Sequence, residues 1–83
     1  MKVIRPDGKI TIKKKLSFAQ AQKLVEGYVE VVHLSSGCLL VNEDGLSQGL
    51  ITNMQASSIA KRPIVGTCIL LETKAEIKQV MGT

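Results

Sequence analysis

Every apolar run in this chain is the length of a strand, and glycine-bearing turns separate most of them. Cys38-Leu39-Leu40-Val41 and Cys68-Ile69-Leu70-Leu71 are four residues each, against the roughly 20 that a membrane-spanning helix needs. Between apolar segments fall Pro6-Asp7-Gly8, Ser35-Ser36-Gly37 and Glu43-Asp44-Gly45. Such triplets join a side-chain acceptor to a residue that takes positive φ without strain, so the chain reverses there. Short strands with tight reversals predict a mostly antiparallel sheet. At 83 residues the chain reads as a single domain over residues 1–83. A chain of this size buries only about 60% of the surface its unfolded form exposes, a marginal core that self-association would help.

The first turn joins residues 2–5 to residues 10–14 in an expected hairpin, with Ile10 and Ile12 facing a core and Thr11 and Lys13 facing water. Ser17-Phe18-Ala19-Gln20 fits a capping box, and Phe18, Ala21, Leu24 and Val25 then recur at helical spacing. Gly27 falls where a helix C-terminus needs positive φ. Residues 28–34 are rich in β-branched side chains and predict a central strand. Tyr28, Glu30, Val32 and Leu34 share one of its faces, and Val29, Val31 and His33 the other. Residues 38–42 form the next strand, and Asp44-Gly45 predicts a second hairpin. Asn53 caps a short helix ahead of Pro63. Residues 64–72 read as the last strand, interrupted at Gly66. Thr73-Lys74-Ala75-Glu76 is a second capping-box match, opening a helical tail, 73–83, that is as consistent with fraying. The expected fold is a small α+β domain: a mostly antiparallel sheet, one helix packed on a face, and one or two short peripheral helices.

Charge is unevenly spread. Residues 1–25 hold seven basic side chains against one acidic, and residues 26–83 hold four against six. Lys9, Lys13, Lys14 and Lys15 concentrate the excess, with Lys23 further on. A basic segment suits phosphate, anionic lipid or an acidic protein surface, and equally a solvated sheet edge, since lysines guard exposed strands. Phe18 and Tyr28 are the only aromatic residues, which argues against a stacking platform for single strands. The opening Met1-Lys2-Val3-Ile4-Arg5 lacks the apolar run of a secretory signal. Cytoplasmic residence, with no membrane partner, is the expectation.

No catalytic constellation emerges. His33 is the single histidine, and Glu30 points to the opposite strand face. Glu43 and Asp44 at a turn are a hydrated acidic pair before they are a cation site. Cys38 and Cys68 sit in apolar strands and read as buried small hydrophobes, although a disulfide between adjacent strands is geometrically open. With no Cys-x-x-Cys, no Gly-Lys-Ser/Thr and no Gly-x-Gly-x-x-Gly, neither a zinc site nor a phosphate loop is indicated. The chain is therefore expected to be no enzyme and to carry no cofactor. Asn42 and Asn53 lie at an apolar strand end and a helix cap, where an amide must satisfy its hydrogen bonds. Structural duty explains them, and so does a ligand pocket built from Tyr28, Asn42, Asn53 and Arg62 in a symmetric homo-oligomer, with the guanidinium forked onto phosphate.

Gly27-Tyr28-Val29-Glu30-Val31-Val32, Val41-Asn42-Glu43-x-Gly45, Gly49-Leu50, Asn53, Ala56 and Ile64-Val65-Gly66 together resemble a family of small uncharacterised proteins of phages, large algal viruses and mobile elements. The opening strand, Pro-Asp-Gly turn and second strand share that resemblance, which spans about residues 1–72. The three consecutive lysines and the helical tail from Thr73 depart from the pattern. The resemblance carries over no site residue. It implies an accessory protein in the host cytoplasm that acts by binding, either masking a host protein or sequestering a small molecule. Three functions follow as expectations: a masking protein steered by Lys9, Lys13, Lys14 and Lys15; a nucleotide sponge using Tyr28, Asn42, Asn53 and Arg62; and a nucleic-acid accessory protein using the lysines on phosphates.

Overall fold

A computed structural model describes residues 1–82. In chain order the elements are β1 (Lys2–Ile4), β2 (Ile10–Ile12), α1 (Phe18–Val25), β3 (Val29–His33), β4 (Cys38–Asn42), α2 (Met54–Ala60), β5 (Cys68–Leu71) and α3 (Lys74–Met81). The strands form one sheet in the order β2-β1-β5-β4-β3, antiparallel throughout. This is the α+β class expected.

Register assigns each side chain its face. Val3, Ile69, Leu40 and Val31 make a row across the sheet, packed under Ala21 and Val25 of α1 and Val80 of α3. Lys2, Leu70, Leu39 and Val32 make a row on the opposite face, where Ile4, Val41 and Cys68 pack with Ala56, Ile59 and Ala60 of α2. With helices on both sides, a central strand must be apolar at every position, not at alternate ones. That explains why β4 and β5 are buried along their whole lengths. Leu39, Leu40, Ile69 and Leu71 have no exposed surface, and burying each contributes about 1.5–3 kcal/mol.

Several local expectations change. The strand predicted as central, β3, is an edge, and the centre is taken by β5. Ile10 and Ile12 are 43% and 72% exposed, because β2 is the other edge and extends past the cover of α2. Asp44-Gly45 makes no hairpin, since β4 reaches β5 only after α2. The last strand begins at Cys68. Gly66 turns the backbone at φ 78, and a Cβ there would meet Leu50 Cδ1 at 2.7 Å. Residues before it make only the isolated bridge Thr52↔Val65.

Helix ends follow side-chain chemistry. Ser17 and Gln20 form the full capping box. At the other end the left-handed residue is Glu26, at φ 65, and not Gly27. Glycine is required at 27 for a different reason: a Cβ there would lie 2.8 Å from Asn42 Nδ2. Thr73 accepts from the Glu76 N–H, but Glu76 takes the N–H of Glu72 instead of completing a box. The tail packs as α3, with Val80 buried and Ile77 and Met81 against the same core as α1.

Candidate functional site

Asn42 ends β4 beneath the C-terminus of α1. Its Nδ2 donates to the carbonyls of Val25 (2.9 Å) and Glu26 (3.2 Å) and to Gln48 Oε1 (3.0 Å). Its Oδ1 accepts from the Asp44 N–H at 2.7 Å, the expected Asx turn. An α-helix leaves its last carbonyls unpaired, and here a strand side chain satisfies two of them. Asn53 has no exposed surface. Its Nδ2 donates to the carbonyls of Ile4 and Gly66, both at 2.9 Å, and its Oδ1 caps α2 through the Ala56 N–H at 3.0 Å. Both amides are therefore spent inside the fold, tying together elements far apart in sequence.

Tyr28 and Arg62 are placed differently. Tyr28 is 71% exposed. Arg62 forms a half-exposed ion pair with Glu30 at 3.3 Å, worth about 0–1 kcal/mol. That pair borders a cleft of about 240 Å³ whose other polar walls are Asn42, Glu43, Asp44 and Ser47. Of the four proposed ligand residues, the structure brings Asn42 and Arg62 to this cleft and leaves Asn53 and Tyr28 out of its lining. Two carboxylates beside one already paired guanidinium make a poor seat for phosphate.

The thiols are apart. Cys38 faces the α1 side and Cys68 the α2 side, and Cys38 pairs in register with Leu71. The disulfide left open by sequence is excluded by that geometry. Burial raises the Cys38 thiol pKa and pushes that of Cys68 up to about 12, so both are protonated and unreactive. Cys68 donates to the Gly66 carbonyl at 3.4 Å. His33 lies exposed across from Cys38 in β3–β4 pairing, with its strand-mates Val29 and Val31 against the α1-side core as expected. Among the described residues no group of three or more His, Cys, Asp or Glu side chains is arranged to hold a metal.

The basic segment borders a shallow groove. After β2 the chain is pinned at several points. The Lys13 N–H donates to the Met1 carbonyl at 2.8 Å. The Leu16 N–H donates to Gln79 Oε1 of α3 at 2.9 Å, and Leu16 is buried. This fixed segment runs beside α1, and between them Lys13, Leu16, Gln20, Lys23 and Leu24 line a groove of about 250 Å³. Lys13 and Lys23, from separate elements, thus line it together with two leucines. Lys14 and Lys15 are exposed beside it. Lys9 lies at the far end of β2, about 13 Å of strand away from Lys13, and does not line the groove. Sequence reasoning found the lysines but missed Leu16, Gln20 and Leu24. The i, i+4 spacing of Gln20 and Leu24 on α1 was the available signal for those two.

The profile of a family described as a domain of unknown function, DUF3846, matches residues 1–80, and the chain belongs to that family. The match takes in most of α3, so the terminal helix falls within the family's extent and is not a departure from it. No curated protein and no solved structure matches. Among the described residues no helix is long and apolar enough to cross a membrane.

Proposed function

We propose that the protein is a non-enzymatic binding protein that masks an acidic surface of a host protein, as a phage or mobile-element accessory factor in the host cytoplasm. The groove between Lys13 and Lys23 is the observation that carries this reading. Its leucine floor takes an apolar side chain, while carboxylates on either side of that side chain meet the ammonium groups. Such complementarity favours association rate and selects against basic surfaces. Lys14 and Lys15 add long-range steering. The host-protein target, and inhibition of a defence protein as its consequence, extend from the resemblance to phage and mobile-element proteins. The nucleotide-sponge alternative is weakened because the Asn42 and Asn53 amides are already bonded within the fold.

The test is titration of the whole chain against a labelled peptide alternating glutamate with leucine, and against single-stranded and duplex DNA, over a range of salt. The peptide is expected to bind, and charge reversal of Lys13, Lys14 and Lys15 to glutamate is expected to slow association by about tenfold or more. Leu24→Ala, which trims the apolar floor without adding charge, is expected to weaken binding with little change in salt dependence. DNA binding with a steep salt slope, indifferent to Leu24, would establish the nucleic-acid alternative instead. Peptide affinity untouched by the triple reversal would overturn the masking reading.

A further inference from the structure

We propose that two copies of this chain join through their β3 edges into one continuous ten-stranded sheet. The Leu34 N–H donates to the Gly37 carbonyl and the Glu43 N–H to the Tyr28 carbonyl. These bonds direct the main-chain groups of residues 28, 30, 32 and 34 toward β4. Antiparallel alternation then turns the N–H and C=O of Val29, Val31 and His33 outward. Among the described residues no strand pairs with that side.

The two edges of the sheet are treated differently. β2 is three residues long, with Lys9 before it and three lysines after it, the protection natural sheets use against pairing. β3 is five residues long and has no lysine or proline. Its one carboxylate, on Glu30, is already matched by Arg62.

A second copy fits this edge by symmetry and by charge. A two-fold axis at Val31 sets Val31 against its equivalent and Val29 against the second copy's His33. Every outward N–H and C=O of those three residues then finds a partner. Centring on Glu30 would set two carboxylates face to face, and centring on Val32 would leave Val29 outside the ladder. With Val31 central, Glu30 lies opposite Val32, and the two Glu30 residues are diagonal neighbours about 7–8 Å apart. Each Arg62 then neutralises its own Glu30 and approaches the other copy's, an alternating cluster of four charges. On the other face, a groove of about 230 Å³ is lined by Val31, His33, Cys38, Ile77 and Met81, and Val29 packs against the same core. The apolar core thereby continues across the axis.

The experiment is amide hydrogen exchange by NMR on the whole chain from micromolar to millimolar concentration, with mass measured in parallel by light scattering. We expect a concentration-dependent dimer in which the Val29, Val31 and His33 amides slow by at least about tenfold. A monomer at every concentration overturns the proposal, as does a dimer in which those three amides exchange as in the monomer. Register is tested by charge swap. An equimolar mixture of Glu30→Arg and Arg62→Glu chains is expected to dimerise about tenfold more tightly than either variant alone. Equal affinity in the mixture and the separate variants overturns the Val31-centred pairing.

Discussion

The carboxamide of Asn42 occupies the space that a side chain on Gly27 would need: a Cβ there would fall 2.8 Å from Nδ2. The empty position at 27 lets a strand side chain reach under the end of α1 and bind the Val25 and Glu26 carbonyls. Gly27→Ala is expected to displace that amide and cost about 1–3 kcal/mol, and Asn42→Leu a similar amount by leaving the carbonyls unpaired. Because both changes break one interaction, the double variant should cost clearly less than their sum. Urea unfolding of all three would decide it, and strict additivity would sink the claim.

Asn53 does two separable jobs. Asn53→Asp keeps the capping oxygen that takes the Ala56 N–H but removes the donors to Ile4 and Gly66. It also buries a carboxylate facing two carbonyls. The aspartate is therefore expected to destabilise by about 2–4 kcal/mol, more than its excellence as an N-cap would indicate. Thermal unfolding is the measurement, and an unchanged Tm for the aspartate variant would mean that capping alone matters.

Acid should loosen the packing of α3. The Glu72 N–H, first, and then the Met1 ammonium at 3.0 Å hold the Glu76 carboxyl below the usual carboxylate range. Since the folded pKa is the lower one, the stabilisation is complete above the unfolded value of about 4.3 and is lost as pH falls through the folded value. Glu76→Gln should flatten the pH dependence of the urea midpoint in that acidic window. Parallel curves for the parent and the variant would show that Glu76 contributes nothing to it.

Thiol chemistry gives a further check. With Cys68 pushed up to about 12 and Cys38 also raised by burial, alkylation of the folded protein at neutral pH should be slower than in denaturant by about a hundredfold or more. Oxidation should yield no intrachain disulfide. Rapid labelling of Cys68 in the folded state would contradict its placement beneath α2.

Capping, turn and cysteine signals acted locally and were legible: Ser17, Asn53 and Thr73 each start a helix where expected. Two local readings fail, since Glu26 and not Gly27 takes the left-handed position and Glu76 does not complete the Thr73 box, but the larger errors concern relations between elements. A β-branched strand such as β3 looks the same at an edge as at a centre, because one covered face already demands alternating apolar residues. Ile10 and Ile12 alternate as a buried strand would, yet lie beyond the reach of α2. At the candidate groove, the lysines are visible as charge, but Leu16, Gln20 and Leu24 join them only once α1 lies beside the pinned segment.

By itself, then, the sequence determined the fold class, the starts of the helices and the absence of any local catalytic motif. These depend on backbone preferences and hydrogen bonds within a few residues. Only the tertiary structure decided that β5 is central and β3 is open, that Cys38 and Cys68 face opposite cores, and that Asn42 and Asn53 are fastenings within the fold. Those outcomes rest on strand order and on which carbonyls are left unpaired where distant segments meet, as when Asn53 reaches Ile4 across 49 positions of chain.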